Sequence, residues 1–313
     1  MATSPQATAQ TKSQTASVRG YILVLIATLL MSTTGILIKY LLVDFAMLPL
    51  NLAFLRVLIV ASALGIALFF VKRAALRVQR RHLIYFIIMG VVGVGLHQLA
   101  WVSSVSLNGA AVATVLVYIN PTIVALISVR FLGEKLDRNK ILALVLTLIG
   151  MVLVAEMYIP ENLRLNGLGI LVGLGTGVTW ATYAIVGQFI SRRYSPWASL
   201  FYAFLFGALF LLPLQLLAGN ILGLGAQWNG WAILFFLALG PTLVGFGLYT
   251  MGLAQIPASV VTLIATLEPV FSIVLAFFLF NEVLDTPQII GAGLILFAVM
   301  LLRPKPETII EDL

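Results

Sequence analysis

Long runs of apolar residues, interrupted by short polar segments, make up most of the chain. Each run is close to the roughly 20 residues that span the apolar core of a bilayer as a helix. The pattern therefore predicts an all-α membrane protein that leaves no room for a soluble domain. The ten predicted transmembrane helices are residues 20–43, 49–71, 83–102, 107–131, 139–158, 167–191, 197–218, 231–251, 256–280 and 286–302.

A weak internal repeat at an offset of 148 residues relates Ala110–Leu153 to Ala258–Leu301. Residues that are identical at this offset include Thr114 and Thr262, Pro121 and Pro269, Glu134 and Glu282, and Asp137 and Asp285. The basic residues of the first copy face neutral residues in the second: Arg130, Lys135, Arg138 and Lys140 against Phe278, Val283, Thr286 and Gln288. Because Lys and Arg collect at cytoplasmic helix ends, this difference predicts two five-helix repeats inserted with opposite orientation.

The same charge rule predicts that both termini are cytoplasmic. All but three of the 18 Lys and Arg residues then lie on the cytoplasmic side, the exceptions being Lys39, Arg56 and Arg164. The predicted organisation is a disordered tail at residues 1–19, repeats at 20–158 and 167–302, and a cytoplasmic tail at 303–313. Lipid headgroups are a sufficient partner for the basic loop at residues 72–81, and no nucleic-acid partner is expected.

Composition argues against an enzyme or a metal protein. The chain is 61% hydrophobic and 9% charged, has no cysteine and contains only two histidines. The sequence therefore offers no cysteine nucleophile and too few histidines for a histidine zinc site. It also lacks the common phosphate-binding and hydrolase motifs, and no cofactor is expected. The remaining alternatives to a transporter are a channel, a sensory or scaffolding membrane protein and, with least support, a membrane enzyme.

Two segments resemble the repeat of the drug/metabolite transporter superfamily, EamA type. They are Leu116–Val154 and Leu263–Leu302, each with a mid-helix proline, an acidic residue at the helix end and then a glycine-bearing span. Arg56 occupies the position of the arginine in the family's second helix. The first helix departs from the family, since Ser32-Thr33-Thr34-Gly35 replaces the usual Trp-Gly pair. The resemblance implies ten helices and metabolite transport across a bacterial inner membrane, often export and sometimes of amino acids.

Polar and aromatic residues near helix centres are the candidate substrate-binding residues. They are Ser32, Thr34, His97, Trp101, Tyr118, Asn120, Trp180, Tyr183, Tyr249 and Glu268. Interfacial aromatic belts are an equal alternative for Trp101 and Tyr249, and a structural hydrogen bond is an equal alternative for His97. Tyr118 and Asn120 cannot share one helical face, so at most one of them points into a cavity.

Four residues that weaken helices are predicted hinges: Gly93, Pro121, Pro241 and Pro269. Proline disturbs the hydrogen bond to the carbonyl four residues earlier, and such interruptions at matching positions of two halves point to a transporter's binding site. Simple packing is the alternative. The glycines at residues 169, 173 and 177 predict close helix packing, either within the bundle or between subunits.

Glu268 lies near the middle of its predicted helix, where a charge is costly and normally pairs, protonates or serves transport. A structural ion pair with Arg56 or Lys39 is the alternative to a functional role. Together these features predict a secondary transporter for a small organic metabolite, with amino acids as the leading cargo and export favoured. A nucleoside, sugar or drug-like solute is the alternative cargo. The oligomeric state cannot be read from the sequence, and a monomer is plausible.

Overall fold

The computed structural model describes residues 5–134, 136–160, 166–219, 224–225, 227–280 and 284–302. Glu282, Lys135, Arg164 and the tail at 303–313, on which parts of the sequence analysis rest, lie outside these ranges. The described chain folds as a helical bundle without strands. Eight of its helices are long and apolar enough to cross a membrane, and two shorter ones, Arg138–Val154 and Thr286–Met300, complete a set of ten.

We number the ten helices α1 to α10 in chain order. Their bounds are α1 Val18–Val43, α2 Pro49–Val71, α3 Arg80–Gly109, α4 Val112–Phe131, α5 Arg138–Val154, α6 Gly167–Ser191, α7 Pro196–Ala218, α8 Trp228–Leu253, α9 Ala258–Leu279 and α10 Thr286–Met300. Large apolar side chains cover the outside of the bundle, as at Phe70 and Leu217, which are 79% and 85% exposed. Such a surface suits lipid rather than water.

The N-terminal segment is described from Pro5 onward. Its helix is Pro5–Ser32, which begins ahead of the apolar part of α1, and the disordered tail at residues 1–19 stays a prediction. Residues 6–19 include several Ala and Gln, which favour helix, and contain neither Gly nor Pro. α1 is then interrupted at Thr33 and resumes as Thr34–Val43.

The loop between α3 and α4 differs from its prediction. The apolar pattern predicts residues 103–106 as the connection between two helices, but helical structure continues there and the chain turns at Gly109, where φ is +80°. The sequence Val102 to Ser106 contains neither Gly nor Pro. Only glycine adopts this backbone conformation without steric cost, which places the turn three residues later than the apolar pattern suggested.

Local features recur at the 148-residue offset. A helical segment of α4 begins at Asn120 and runs to Phe131. The corresponding segment in α9 begins at Glu268, 148 residues later, and runs to Phe280. π-helical turns interrupt α3 at Val91–Leu96 and α8 at Ala238–Gly245. Both α5 and α10 begin after a capping aspartate, Asp137 and Asp285. The two copies thus share their helix breaks and caps as well as residue identities.

Glycines bring helices together inside the bundle. A methyl group at Gly177 of α6 would lie 2.6 Å from Ile119 Cγ2 of α4, and one at Gly150 of α5 would lie 2.8 Å from the Gly291 carbonyl oxygen of α10. Gly169 and Gly173 likewise face residues between Ser104 and Leu116. The glycine motif of α6 therefore packs within the chain, which settles the choice that the sequence left open.

Candidate functional site

Phe204 of α7 lies behind an aromatic wall, edge-on to Phe246 at 5.5 Å, and five rings from three helices form the wall itself. They are His97 of α3, Trp180 and Tyr183 of α6, and Phe246 and Tyr249 of α8. Trp180 is stacked on Tyr183, with centroids 5.3 Å apart and planes inclined by 8°, and it meets Phe246 edge-on at 5.4 Å. These are favourable aromatic geometries, so the contacts stabilise the arrangement of the five rings, which we call the aromatic wall.

The backbone of α3 packs directly against this aromatic wall. Gly93 lies in the π-helical turn and packs against α6 so closely that a Cβ there would be 2.8 Å from Tyr183 Cβ. Trp180 and Tyr183 share one face of α6 because they are three residues apart. The predicted pairing of these two rings is therefore present, and Gly93 is needed for the approach that supports it.

His97 is fixed to α6 by hydrogen bonds of its Nδ1 atom. This atom lies 3.1 Å from Thr179 Oγ1 and 3.3 Å from the Thr176 carbonyl oxygen. The imidazole also lies against Trp180, with centroids 5.1 Å apart. His97 thus has structural partners through one ring nitrogen, while its ring forms part of the aromatic wall.

The position of Tyr249 rules out an interfacial aromatic belt for this residue. Its side chain is fully buried and contacts Trp180 and Tyr183, with centroid distances of 5.8 and 6.2 Å. The Tyr183 hydroxyl bonds to Thr250 Oγ1 at 3.1 Å, whereas the Tyr249 hydroxyl has no partner among the described residues. A buried hydroxyl without a partner is costly, so this group is available to a bound solute or to water.

Glu268 lies beside this cluster at the break in α9. The Tyr118 hydroxyl, from the break in α4, donates a hydrogen bond of 3.2 Å to Glu268 Oε2. Ser272 donates to the Glu268 carbonyl oxygen and to the Ser32 carbonyl oxygen of α1, at 3.0 Å each. The break in α9 is therefore connected to both α1 and α4, and the carboxylate is oriented by a phenol from the other half.

Arg56 is the second charge in this region, and it is 7% exposed. It lies within electrostatic range of both Glu268 and His97. No ion pair joins Arg56 to Glu268, and the buried Nε atom of Arg56 has no hydrogen-bond partner among the described residues. The structural ion pair considered from the sequence is thus not formed between these two residues. The bundle instead holds a guanidinium group and a carboxyl group that lie near each other without forming an ion pair.

Asn120 supports the helix break. Pro121 frees the Val117 carbonyl, and Asn120 Nδ2 donates to that oxygen at 2.8 Å. Pro241 likewise frees the Leu237 carbonyl, to which Thr242 Oγ1 donates at 2.7 Å. Neighbouring polar side chains thus satisfy the freed backbone groups, as membrane helices require. Of Tyr118 and Asn120, it is Tyr118 that bonds to Glu268, and the prediction that at most one of them points into a cavity stays a prediction.

Three further predicted residues lie apart from the aromatic wall. The Ser32 hydroxyl is buried and donates to the Leu29 carbonyl oxygen at 2.7 Å, so only its backbone reaches the Glu268 region. Thr34 begins the second segment of α1. Trp101 makes no ring contact with the five described rings of the cluster.

Other participants were missed from the sequence. Phe246 packs edge-on against both Trp180 and Tyr183, but an apolar residue in an apolar helix gives no signal. Thr179 and Thr250 fix two rings of the wall. Arg56 is not among the residues predicted to bind substrate. Its charge within a predicted transmembrane helix is the sequence feature that could have indicated it.

A polar network joins the two halves at one end of the bundle. Lys140 Nζ of α5 lies 3.1 Å from Glu134 Oε2 and 3.0 Å from Ser259 Oγ of α9, and Ser259 also bonds to Glu134. The side chains of Lys140 and Glu134 are only 15% and 9% exposed. The loop that follows α4 is therefore fastened to the start of α9.

Comparison with known proteins agrees with this architecture. The model of the EamA-like transporter family matches residues 18–155 and 167–303. The chain is 29% identical over 202 residues to an uncharacterized transporter of Archaeoglobus fulgidus, which covers 64% of this chain and 70% of that protein. It is 26% identical over 292 residues to the uncharacterized inner membrane transporter YicL of Salmonella typhimurium, covering 91% and 95%.

A solved crystal structure has the same fold, with a TM-score of 0.76 at 20% identity over 91% of this chain and 97% of that one. The likeness extends across both halves of the bundle, as does the match to the family. The chain therefore belongs to the EamA-like transporter family and is a multi-pass membrane transporter.

Proposed function

We propose that the protein is a secondary transporter that exports small zwitterionic metabolites, amino acids foremost, across a bacterial inner membrane by alternating access. The substrate site is the region between Glu268, Arg56 and the aromatic wall of His97, Trp180, Tyr183, Phe246 and Tyr249. Transport rather than chemistry is the role of this region, because Glu268 is the only acid near the middle of a predicted span and paired acid–base catalysis needs a second group.

The observation that carries the cargo assignment is the separation of Arg56 and Glu268. Both charges are inside the bundle and within electrostatic range, yet they form no ion pair. An unpaired charge is expensive in such surroundings. A zwitterion placed between them neutralises both, since its carboxylate complements the guanidinium and its ammonium complements the glutamate oriented by Tyr118. A single free amine or acid would neutralise only one.

The aromatic wall would bind the side chain of the substrate. Apolar ring faces suited to an apolar or aromatic side chain are provided by Trp180, Tyr183, Phe246 and Tyr249. The same faces favour a nucleoside as the second candidate cargo, because flat bases stack on aromatic side chains. A sugar phosphate fits poorly, since phosphate groups call for several convergent Arg or Lys residues and Arg56 is the one cation placed here.

Alternating access is supported by the helix breaks around the site. α4 and α9 are interrupted beside Pro121 and Pro269, and α3 and α8 contain π-helical turns with Gly93 and Pro241. Breaks of this kind are the places where helices bend at least cost. The Lys140–Glu134–Ser259 network, which fastens the halves at one end, would have to open when that end does. By the charge rule, this end is cytoplasmic.

Flux in liposomes tests the proposal. The purified protein is first screened for thermal stabilisation by leucine, phenylalanine, a nucleoside and a sugar, because a ligand that binds the folded state raises its apparent stability. Liposomes loaded with the stabilising solute should then take up the labelled solute by counterflow, with its chemical identity unchanged. Stabilisation and exchange by the nucleoside but by neither amino acid would reject the amino-acid assignment. No exchange of any solute by folded protein would reject the transport site.

A further inference from the structure

A second site lies at the end of the bundle, away from the aromatic wall. The loop after α2 and the loop between α6 and α7 line a cavity of about 550 Å³ that is open to the surface. Its lining residues are Arg77, Gln79, Arg81, His82, Arg193 and Tyr194. Three guanidinium groups therefore converge on one space, and none of them forms an ion pair with a carboxylate among the described residues.

The cavity is built by specific contacts. The Tyr194 hydroxyl accepts a hydrogen bond of 3.2 Å from the Gln79 backbone N–H and lies 2.7 Å from His82 Nδ1. The Tyr202 hydroxyl of α7 donates to the Leu76 carbonyl oxygen at 2.7 Å. Two tyrosines of the second half thus hold down the basic loop of the first half. Side chains on this loop are positioned before any ligand arrives, which lowers the entropic cost of binding.

Two of the three arginines also have contacts that fix their side chains. Arg81 Nε donates to Gln79 Oε1 at 2.7 Å, and the Arg193 guanidinium lies over the Phe189 ring at 4.0 Å from its centroid. Both contacts leave further N–H donors on each guanidinium, because the group carries five. Arginine binds phosphate through such paired donors more strongly than other residues do.

The surroundings indicate where the phosphate comes from. The segment that leads into the loop ends with Phe70 and Val71, which are 79% and 85% exposed, and Ile84 at the start of α3 is 52% exposed. In a membrane these side chains face the acyl chains. A ligand bound here would have its anionic group among the arginines and apolar chains beside it. Acidic phospholipids have this chemistry, whereas a free phosphate ester gains nothing from the apolar surface.

We propose that this cavity binds the phosphodiester headgroup of an acidic phospholipid from the leaflet at that end of the bundle. Arg77 and Arg81 belong to the first repeat and Arg193 to the second, so the bound headgroup bridges the two halves. The lipid therefore stabilises the arrangement in which these two loops stay together. This site is independent of the transported solute and contains none of the residues of the aromatic wall.

A lipid titration of the purified full-length protein in uncharged detergent micelles tests the proposal. Added phosphatidylglycerol should raise the melting temperature, and phosphatidylcholine should not. The triple variant Arg77→Gln, Arg81→Gln, Arg193→Gln should bind phosphatidylglycerol on the order of a hundredfold more weakly, since each basic residue near a lipid surface contributes about 1 kcal/mol. The matched variant Arg19→Gln, Arg130→Gln, Arg138→Gln removes three arginines from the same predicted side but outside the cavity, and it should keep the response.

Three results would overturn the assignment. Equal loss in the triple and matched variants would leave only general surface charge. An equal response of the wild-type protein to glycerol 3-phosphate without lipid would identify a soluble phosphate compound instead. If the triple variant does not fold, the three single variants replace it, and each should weaken binding about fivefold; unchanged binding in all three would contradict the site.

Discussion

The Tyr118 hydroxyl, at the break in α4, donates a 3.2 Å hydrogen bond to the Glu268 carboxylate, at the break in α9. The two breaks belong to different halves of the chain and lie at matching positions of the 148-residue repeat. The polar residue differs between the two breaks. Asn120 donates a hydrogen bond to a freed carbonyl oxygen, whereas its counterpart Glu268 presents a carboxyl group. The repeat thus supplies the same helix break twice, with an amide at the break in α4 and a carboxyl group at the break in α9.

Replacing Tyr118 with Phe should reduce transport about tenfold while preserving the fold. The change removes the donor that orients Glu268, and a hydrogen bond to a charged group contributes about 1.5–3 kcal/mol. Initial exchange rates in liposomes measure the effect. Tyr21→Phe is the matched control, because its hydroxyl also donates a bond, of 2.7 Å to the Leu302 carbonyl oxygen, away from the site. Equal rates for both variants would contradict a role for Tyr118 in the site.

Gly93→Ala should destabilise the protein and displace the aromatic wall. The new Cβ would lie 2.8 Å from Tyr183 Cβ, and such overpacking costs about 1–3 kcal/mol. Thermal unfolding of the purified protein measures the loss. Gly35→Ala, where nothing lies within 4 Å, provides the comparison and should be neutral or slightly stabilising. A stability loss as large at Gly35 as at Gly93 would show that close packing is not the cause.

Several parts of the site were beyond sequence reasoning for physical reasons. The apolar pattern predicted the helical bundle, and intramembrane polarity singled out Glu268, Tyr118 and Trp180. The burial of Tyr249 depends on how α6 and α8 pack, so its place near a helix end suggested an interfacial belt equally well. Phe246 had no signal because an apolar ring is ordinary in an apolar helix.

Other differences arose from contacts that only the folded chain defines. For Arg56, an internal partner or a side chain that extends to the membrane surface is favoured over substrate binding, because no pattern in one sequence tells whether a nearby acid is close enough to form a pair. Asn120 is predicted to bind substrate. Its Nδ2 atom bonds to the carbonyl that Pro121 frees, while its buried Oδ1 atom has no hydrogen-bond partner among the described residues. A polar residue next to a helix proline therefore has a local use that should be considered before a ligand is assigned to it.

The double variant Pro121→Ala, Pro269→Ala should slow exchange more than it weakens substrate binding. Restored backbone hydrogen bonds straighten and stiffen the segments of α4 and α9 that we propose to bend. Binding is measured by the substrate-induced rise in melting temperature, and flux by counterflow. A variant that folds, binds and transports as the wild type does would leave these prolines with a packing role alone.

Cysteine labelling should place residues 139 and 287 on opposite sides of the membrane. The chain contains no cysteine, so single substitutions Asn139→Cys and Pro287→Cys can be introduced without background. An impermeant thiol reagent applied to intact cells should label the second and spare the first, because basic residues surround only the first. Equal labelling at both positions would contradict the inverted arrangement of the two repeats.

The central claim is that Arg56 and Glu268 together hold a zwitterion, and competition by matched analogues tests it most directly. Phenylalanine, its amine analogue phenethylamine and its acid analogue 3-phenylpropionate are compared as inhibitors of labelled phenylalanine exchange in the wild type, Arg56→Gln and Glu268→Gln. Phenylalanine should inhibit best in the wild type, the preference over the amine should collapse in Arg56→Gln, and the preference over the acid should collapse in Glu268→Gln. Unchanged preferences in both folded variants, with exchange intact, would contradict the claim.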